Sequence, residues 1–196
     1  LRDLLDSIAD NKEIVNVIID AGTTTLLFVR AVFQFLSEGG GFSKKIRIVT
    51  NSPEVLQEYS DPSKRLSSSK SIEVRFVGGI FRDRTRSVTP IKDSAKDQIK
   101  HIIGADGSET IVFLGVSFLC DDGLKIRTID EVEIKKAYVD IADHIFILAD
   151  HSKLRPIIHG RPFAKWDKAK VTIVTDRPKE FRESISKFTD KVKFVK

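Results

Sequence analysis

At 196 residues, 41% of them hydrophobic, the chain is long enough for one well-buried domain and too short for two of ordinary size, so a single domain over residues 1–196 is expected. Its longest near-apolar stretches, residues 26–36 and 111–120, fall short of the roughly 20 residues that cross a bilayer, and a lone Cys120 excludes an internal disulfide; a cytoplasmic protein without a membrane partner is expected. The net charge of +5 is uneven, with 13 Lys or Arg against 5 Asp or Glu over residues 153–196, an excess that either draws in an anionic partner or solvates the outer faces of late helices.

The first residues, Leu1-Arg-Asp-Leu-Leu-Asp-Ser-Ile, read as the start of an amphipathic helix and lack the basic, apolar and small-residue order of a signal peptide. The sequence holds no Met, so it is expected to begin inside a longer gene product. Seven short runs rich in β-branched residues then recur, starting at Val15, Ile46, Ile72, Ile111, Ile145, Val171 and Val192. Segments of helical spacing lie between most of them, such as 131–143, where Ile134, Ala137 or Tyr138, and Ile141 share a face. This alternation predicts an α/β fold: an open, mainly parallel, Rossmann-like sheet of about six to seven strands with helices on both faces. The runs at Ile111, Ile145 and Val171 are apolar on successive residues and should be central.

Between the first two strands, only Arg30 and Gln34 are polar from Leu26 to Leu36, which predicts a helix buried almost all round. Either other helices of the domain cover it or part of it forms a subunit contact. Residues 60–71, with Pro62 and six serines, read as a surface loop. Pro90 fits the first turn of a helix running to about Ile103, where its missing N–H is no loss.

Four places follow directly on a predicted strand, where open parallel sheets bind ligands. The first is Asp20-Ala-Gly-Thr-Thr-Thr25: Gly22 permits a tight turn, and the N–H groups and hydroxyls of Thr23, Thr24 and Thr25 open a helix toward an anion. It is not a Walker loop, because no Lys-Ser or Lys-Thr follows. A glycine turn with one Thr capping the helix explains the same residues. The second is Asn51-Ser52 before Pro53, either of which can cap a helix. The third is Gly78-Gly79 with Arg82, Arg84 and Arg86, phosphate forks or an exposed edge strand. The fourth is Asp150-His-Ser-Lys153, where Lys153 supplies a point charge to a phosphate or is a plain loop lysine. No metal or other cofactor is expected: His144, His151 and His159 share no ligand spacing, no Gly-x-Ser-x-Gly nucleophile motif occurs, and Cys120 shows no activating partner.

In this order, Ile19-Asp-Ala-Gly-Thr-Thr-Thr25, Val49-Thr-Asn-Ser52, Val77-Gly-Gly79 with Arg82, Phe113-Leu-Gly-Val116, Asp122-Gly-Leu124, Glu131 to Lys136, Leu148 to Lys153 and Ile173-Val-Thr-Asp176 resemble the C-terminal effector domain of the DeoR family of bacterial repressors, over nearly the full chain. The resemblance implies a fold like ribose-5-phosphate isomerase, with a phosphorylated sugar or similar effector on Asp20, Gly22, Thr23, Thr24, Thr25, Asn51, Ser52, Gly79, Arg82 and Lys153, and with Asp122, Glu131 and Lys135 near it. It also implies a homo-oligomer, dimer or tetramer, and DNA contact only through a winged helix-turn-helix that is not present in this chain. Two departures stand out. Ser117-Phe118 replace the Asp-Gly that the family usually has after Phe-Leu-Gly-Val, and Lys125-Ile126 replace a usual pair of threonines. With the acidic group gone, the pocket is expected to include Phe118, and a sensor is expected rather than an enzyme. The alternative is a sugar-phosphate isomerase using Lys153 with Asp121, Asp122 or Glu133.

Overall fold

Strand and helix alternate from the outset. In the computed structural model, which describes residues 13–38, 44–64, 72–91, 95–120, 122–153, 160–166, 170–185 and 193–195, β1 (Ile14–Ile19) leads to α1 (Thr23–Ser37), β2 (Lys45–Thr50), α2 (Pro53–Ser60) and β3 (Ile72–Phe76). A hairpin of β4 (Ile80–Arg82) and β5 (Ser87–Thr89) follows, then α3 (Ala95–Ile103), β6 (Glu109–Gly115), β7 (Phe118–Cys120), β8 (Gly123–Ile126) and α4 (Val132–Ile141). The chain closes through β9 (His144–Leu148), β10 (Arg161–Ala164), β11 (Lys170–Val174), α5 (Pro178–Ile185) and β12 (Lys193–Val195).

The seven β-branched runs are the seven strands of one sheet, ordered β12-β11-β9-β6-β1-β2-β3. Every pairing in it is parallel. β6 lies at the centre, flanked by β9 and β1, and buries five successive residues from Thr110 to Leu114. Alternate side chains feed two cores. On one face Val17, Ile19, Phe113 and Phe146 pack with Val29 and Phe33 of α1 and Val55 of α2. On the other, Ile18, Val112, Leu114 and Ile147 pack with Ile99 of α3, Ile134 and Tyr138 of α4 and Phe181 of α5. Phe113 is the hub of the first core, stacked at 4.4 Å on Phe28 and at 5.2 Å on Phe146.

From β1 the chain winds outward to β2 and β3, then returns to β6 and winds the other way. The carboxyl ends of β1 and β6 are therefore adjacent strand ends whose connections diverge, which opens a crevice.

The structure revises four expectations. α1 buries a single stripe, Thr25, Val29 and Phe33, while Leu27 is 63% and Phe35 40% exposed. The apolar run simply outlasts the face that the sheet can cover. Pro90 stands outside a helix: β5 ends at Thr89 against Gly79, and α3 begins at Ala95. The hairpin β4–β5 and a three-stranded antiparallel sheet, β10-β8-β7, were not foreseen, because strands of three or four residues carry too little periodicity. The loop expected at 60–71 is in part the end of α2 and a 3₁₀ turn at Pro62–Lys64. Residues 65–71, the amphipathic start at 1–8, Asp121 and His159 lie outside the described residues. Among the described residues, no helix is long and apolar enough to cross a membrane.

Candidate functional site

A cavity of about 310 Å³ opens at the switch between β1 and β6. Ala21 to Thr24 line it after β1, Gly115 to Ser117 after β6, Arg84 and Thr85 from the β4–β5 turn, Ile126 to Thr128 after β8, Glu131 and Lys135 at the start of α4, and Lys153 after β9. All these connections leave the carboxyl side of the sheet or cover it.

The floor is built around Gly22. Asp20 extends the β1–β6 ladder by donating its N–H to the Phe113 carbonyl at 3.1 Å. The N–H of Ala21 donates to Oδ1 of Asn51 at 3.0 Å, and the chain then turns into α1. Gly22 caps α1 without a side chain, among the described residues no side chain accepts from the first-turn N–H groups, and that turn carries no carboxylate. The hydroxyl of Thr25 donates to the Gly22 carbonyl at 2.8 Å, so it does not serve as a cap. An α-helix leaves its first N–H groups without internal partners. Here they face a cavity, with the positive end of the helix dipole behind them.

Behind this floor lies a buried ion pair. Nζ of Lys135 donates to Oδ2 of Asp20 and, at 2.9 Å, to the Gly115 carbonyl, while the Gly115 N–H donates to the same Asp20 oxygen at 3.2 Å. Burial pushes the Asp20 carboxyl above its ordinary value, against the pull of Lys135 and the Gly115 N–H. Oδ1 of Asp20 and the Tyr138 hydroxyl are both buried without a hydrogen-bond partner among the described residues. Burial also pushes Glu131 up, against Lys135, and the Thr128 hydroxyl donates to its Oε2 at 2.7 Å. Lys153 sits on a 3₁₀ turn held by Asp150, which accepts from the Ser152 N–H at 2.8 Å, and by Asp176, which accepts from the His151 N–H at 2.9 Å.

Of the residues singled out from sequence, Gly22, Thr23, Thr24, Glu131, Lys135 and Lys153 meet in the cavity wall. Asp20 and Thr25 lie directly beneath it. Asn51, Ser52, Gly79, Arg82 and Asp122 do not line it, and each has a partner elsewhere. Asn51 joins Ala21 to the hairpin through its amide, which donates to the Val88 carbonyl at 3.2 Å. Ser52 caps α2 by accepting from the Val55 N–H. Gly79 has φ 155°, and a Cβ there would fall 2.0 Å from the Thr89 carbonyl oxygen. Arg82 donates to the Thr89 hydroxyl at 3.1 Å and lies 3.9 Å from Asp130. Asp122 pairs with Lys125 at 2.9 Å. Phe118 is buried beside Gly160, outside the cavity, and only Ser117 of that pair reaches it. Glu133 is exposed beside Lys136, so neither Asp122 nor Glu133 is placed for acid–base work. Arg127 and Thr128 were missed, and Arg84 was weighed only as one of three alternating arginines; no motif marks these positions. Among the described residues, no group of three or more His, Cys, Asp or Glu could hold a metal ion.

Residues 6–177 match the sequence family described as "DeoR C terminal sensor domain". The chain is 30% identical over 137 residues to the HTH-type transcriptional regulator IolR of Bacillus subtilis, covering 70% of this chain and 46% of that protein. It is 30% identical over 140 residues to the HTH-type transcriptional regulator GlpR of Haloferax volcanii, with the same coverage of 70% and 46%. The chain thus spans about half the length of the curated relatives it matches. Among solved structures, ribose 5-phosphate isomerase from Plasmodium falciparum aligns with 78% of this chain and 50% of its own, at TM-score 0.43 and 11% identity. Translation initiation factor eIF-2B from Pyrococcus horikoshii aligns with 84% and 50%, at TM-score 0.40 and 16% identity.

Proposed function

The chain belongs to the DeoR C-terminal sensor domain family, and on that premise we propose that it grips a phosphorylated sugar or similar metabolite at the N-terminus of α1 and passes the binding event to a DNA-binding part of a transcription regulator. The family is one of regulatory sensors, not of enzymes. The observation that carries the ligand reading is the uncapped start of α1 facing a cavity that Lys153 also lines. A phosphate there would accept from the N–H groups of Thr23 to Thr25 and the Thr24 hydroxyl, with Lys153 as a point charge. Glu131 is placed to accept from sugar hydroxyls. Asn51, Ser52, Gly79 and Arg82 then hold the walls in place without touching the ligand.

Sensing also requires two states to which the ligand binds unequally. In this reading residues 1–196 act as one sensor unit in a cytoplasmic homo-oligomer, and the exposed apolar side of α1, led by Leu27, contributes to the subunit contact.

The test is calorimetric titration of the chain with glucose 6-phosphate and ribose 5-phosphate, for wild type and for Thr24→Ala and Lys153→Ala. Each lost charge-assisted contact should weaken binding by roughly 10- to 100-fold with little change in melting temperature without ligand. Binding that neither substitution weakens would remove the phosphate grip from this site.

A further inference from the structure

We propose that the pocket is built for a ligand with two separated anionic groups, a phosphate at the start of α1 and a second phosphate or a carboxylate held by Arg84 and Arg127. The inference rests on the phosphate reading above and adds the class of effector.

Four cations line the cavity, and they are not equivalent. Lys135 is neutralised by Asp20 beneath the floor. Lys153 serves the phosphate end. Arg84 and Arg127 remain, and neither forms an ion pair with a carboxylate among the described residues. Neighbouring arginines do: Arg82 lies 3.9 Å from Asp130 and Arg86 lies 3.4 Å from Glu54. Among the described residues the Arg127 guanidinium lies over the Phe118 ring, 5.8 Å from its centroid, which steadies the side chain and leaves its donors free.

Topology separates the two ends. The phosphate grip at the start of α1 follows β1, whereas Arg84 is carried on the hairpin after β3, and β2 lies between those strands. At about 4.8 Å per strand the two attachment points are on the order of 10 Å apart. The Arg82–Asp130 contact ties the hairpin to the segment that follows Arg127, so both arginines belong to the same wall. A single phosphate on α1 cannot satisfy this wall. A bis-anionic metabolite can, since guanidinium forks match phosphate and carboxylate alike. The cavity volume of about 310 Å³ suits one small metabolite. Ser117, standing where the resembling family carries an acid, removes a charge that would repel the second anion.

Two matched pairs of probes test this by calorimetry: fructose 6-phosphate against fructose 1,6-bisphosphate, and glucose 6-phosphate against 6-phosphogluconate. In wild type the bis-anionic member of at least one pair should bind about tenfold or more tightly, and the pair that responds identifies the second anion. In the Arg84→Gln/Arg127→Gln double variant, whose fold is checked by its melting curve, that ratio should fall to near one. Monophosphates binding as tightly as both bis-anionic partners, or a ratio that survives the double substitution, would overturn the proposal and leave the phosphate grip standing. If none of the four compounds binds, the grip itself falls with it.

Discussion

Lys135 bears the largest electrostatic demand of the side chains around the cavity: its ammonium is almost fully buried, and its carboxylate partner, Asp20, is buried as well. Removing one member of such a pair strands the other, whereas replacing both can be close to neutral. Lys135→Met should therefore cost about 3–5 kcal/mol in urea denaturation, and Asp20→Asn/Lys135→Met should recover most of that loss. A double variant as unstable as the sum of its singles would contradict the pairing. Asp106 gives the opposite pH sign to Asp20. Hydrogen bonds from the Ser108 hydroxyl and N–H hold its carboxyl down to about 2, helped by Arg47. Its folded value lies below its unfolded one, so its contribution is present above about pH 4 and is lost as pH falls toward 2. The stability gap between wild type and Asp106→Asn should shrink over that window in acid titrations; a gap unchanged down to pH 2 would rule the contribution out. Burial instead raises the Asp20 carboxyl, against the pull of Lys135.

At the scale of elements, the start of α1 and the β4–β5 hairpin shape the cavity from opposite sides. The seven sheet strands were legible because each is a short run rich in β-branched residues, and the central β6 buries five successive residues. The cavity was only partly legible. Glycine, threonines and lysine at strand ends announce a possible anion site, but whether Asn51 faces a ligand or holds Ala21 depends on a contact 30 residues away, which no local pattern encodes. Gly79 was read as a ligand approach, and the structure gives it a steric role instead. Gly79→Ala would force a Cβ against the Thr89 carbonyl at a backbone angle that L-residues avoid, so it should destabilise the protein by at least about 2 kcal/mol. Because the same hairpin carries Arg84 and Thr85, ligand affinity measured on the folded fraction should also fall. Wild-type stability in that variant would show that the turn is looser than described.

For the whole molecule, the divergent winding from β1 and β6 explains why a cavity exists where it does and why residues from five connections meet in it. It does not require a second subunit, yet α1 buries only one stripe and leaves the apolar Leu27 63% and Phe35 40% exposed. Leu27→Glu should shift the proposed homo-oligomer toward monomer in sedimentation velocity while keeping the melting transition cooperative. An unchanged sedimentation coefficient would place the subunit contact elsewhere. The central claim is narrower than assembly: an anion is gripped by the uncapped N–H groups of α1. The most direct measurement is a titration of the ¹⁵N-labelled chain with glucose 6-phosphate or 6-phosphogluconate, followed by amide resonances. The account predicts that the largest saturable shifts fall on Thr23, Thr24 and Thr25. Saturable shifts confined to other residues, or none at all, would contradict it.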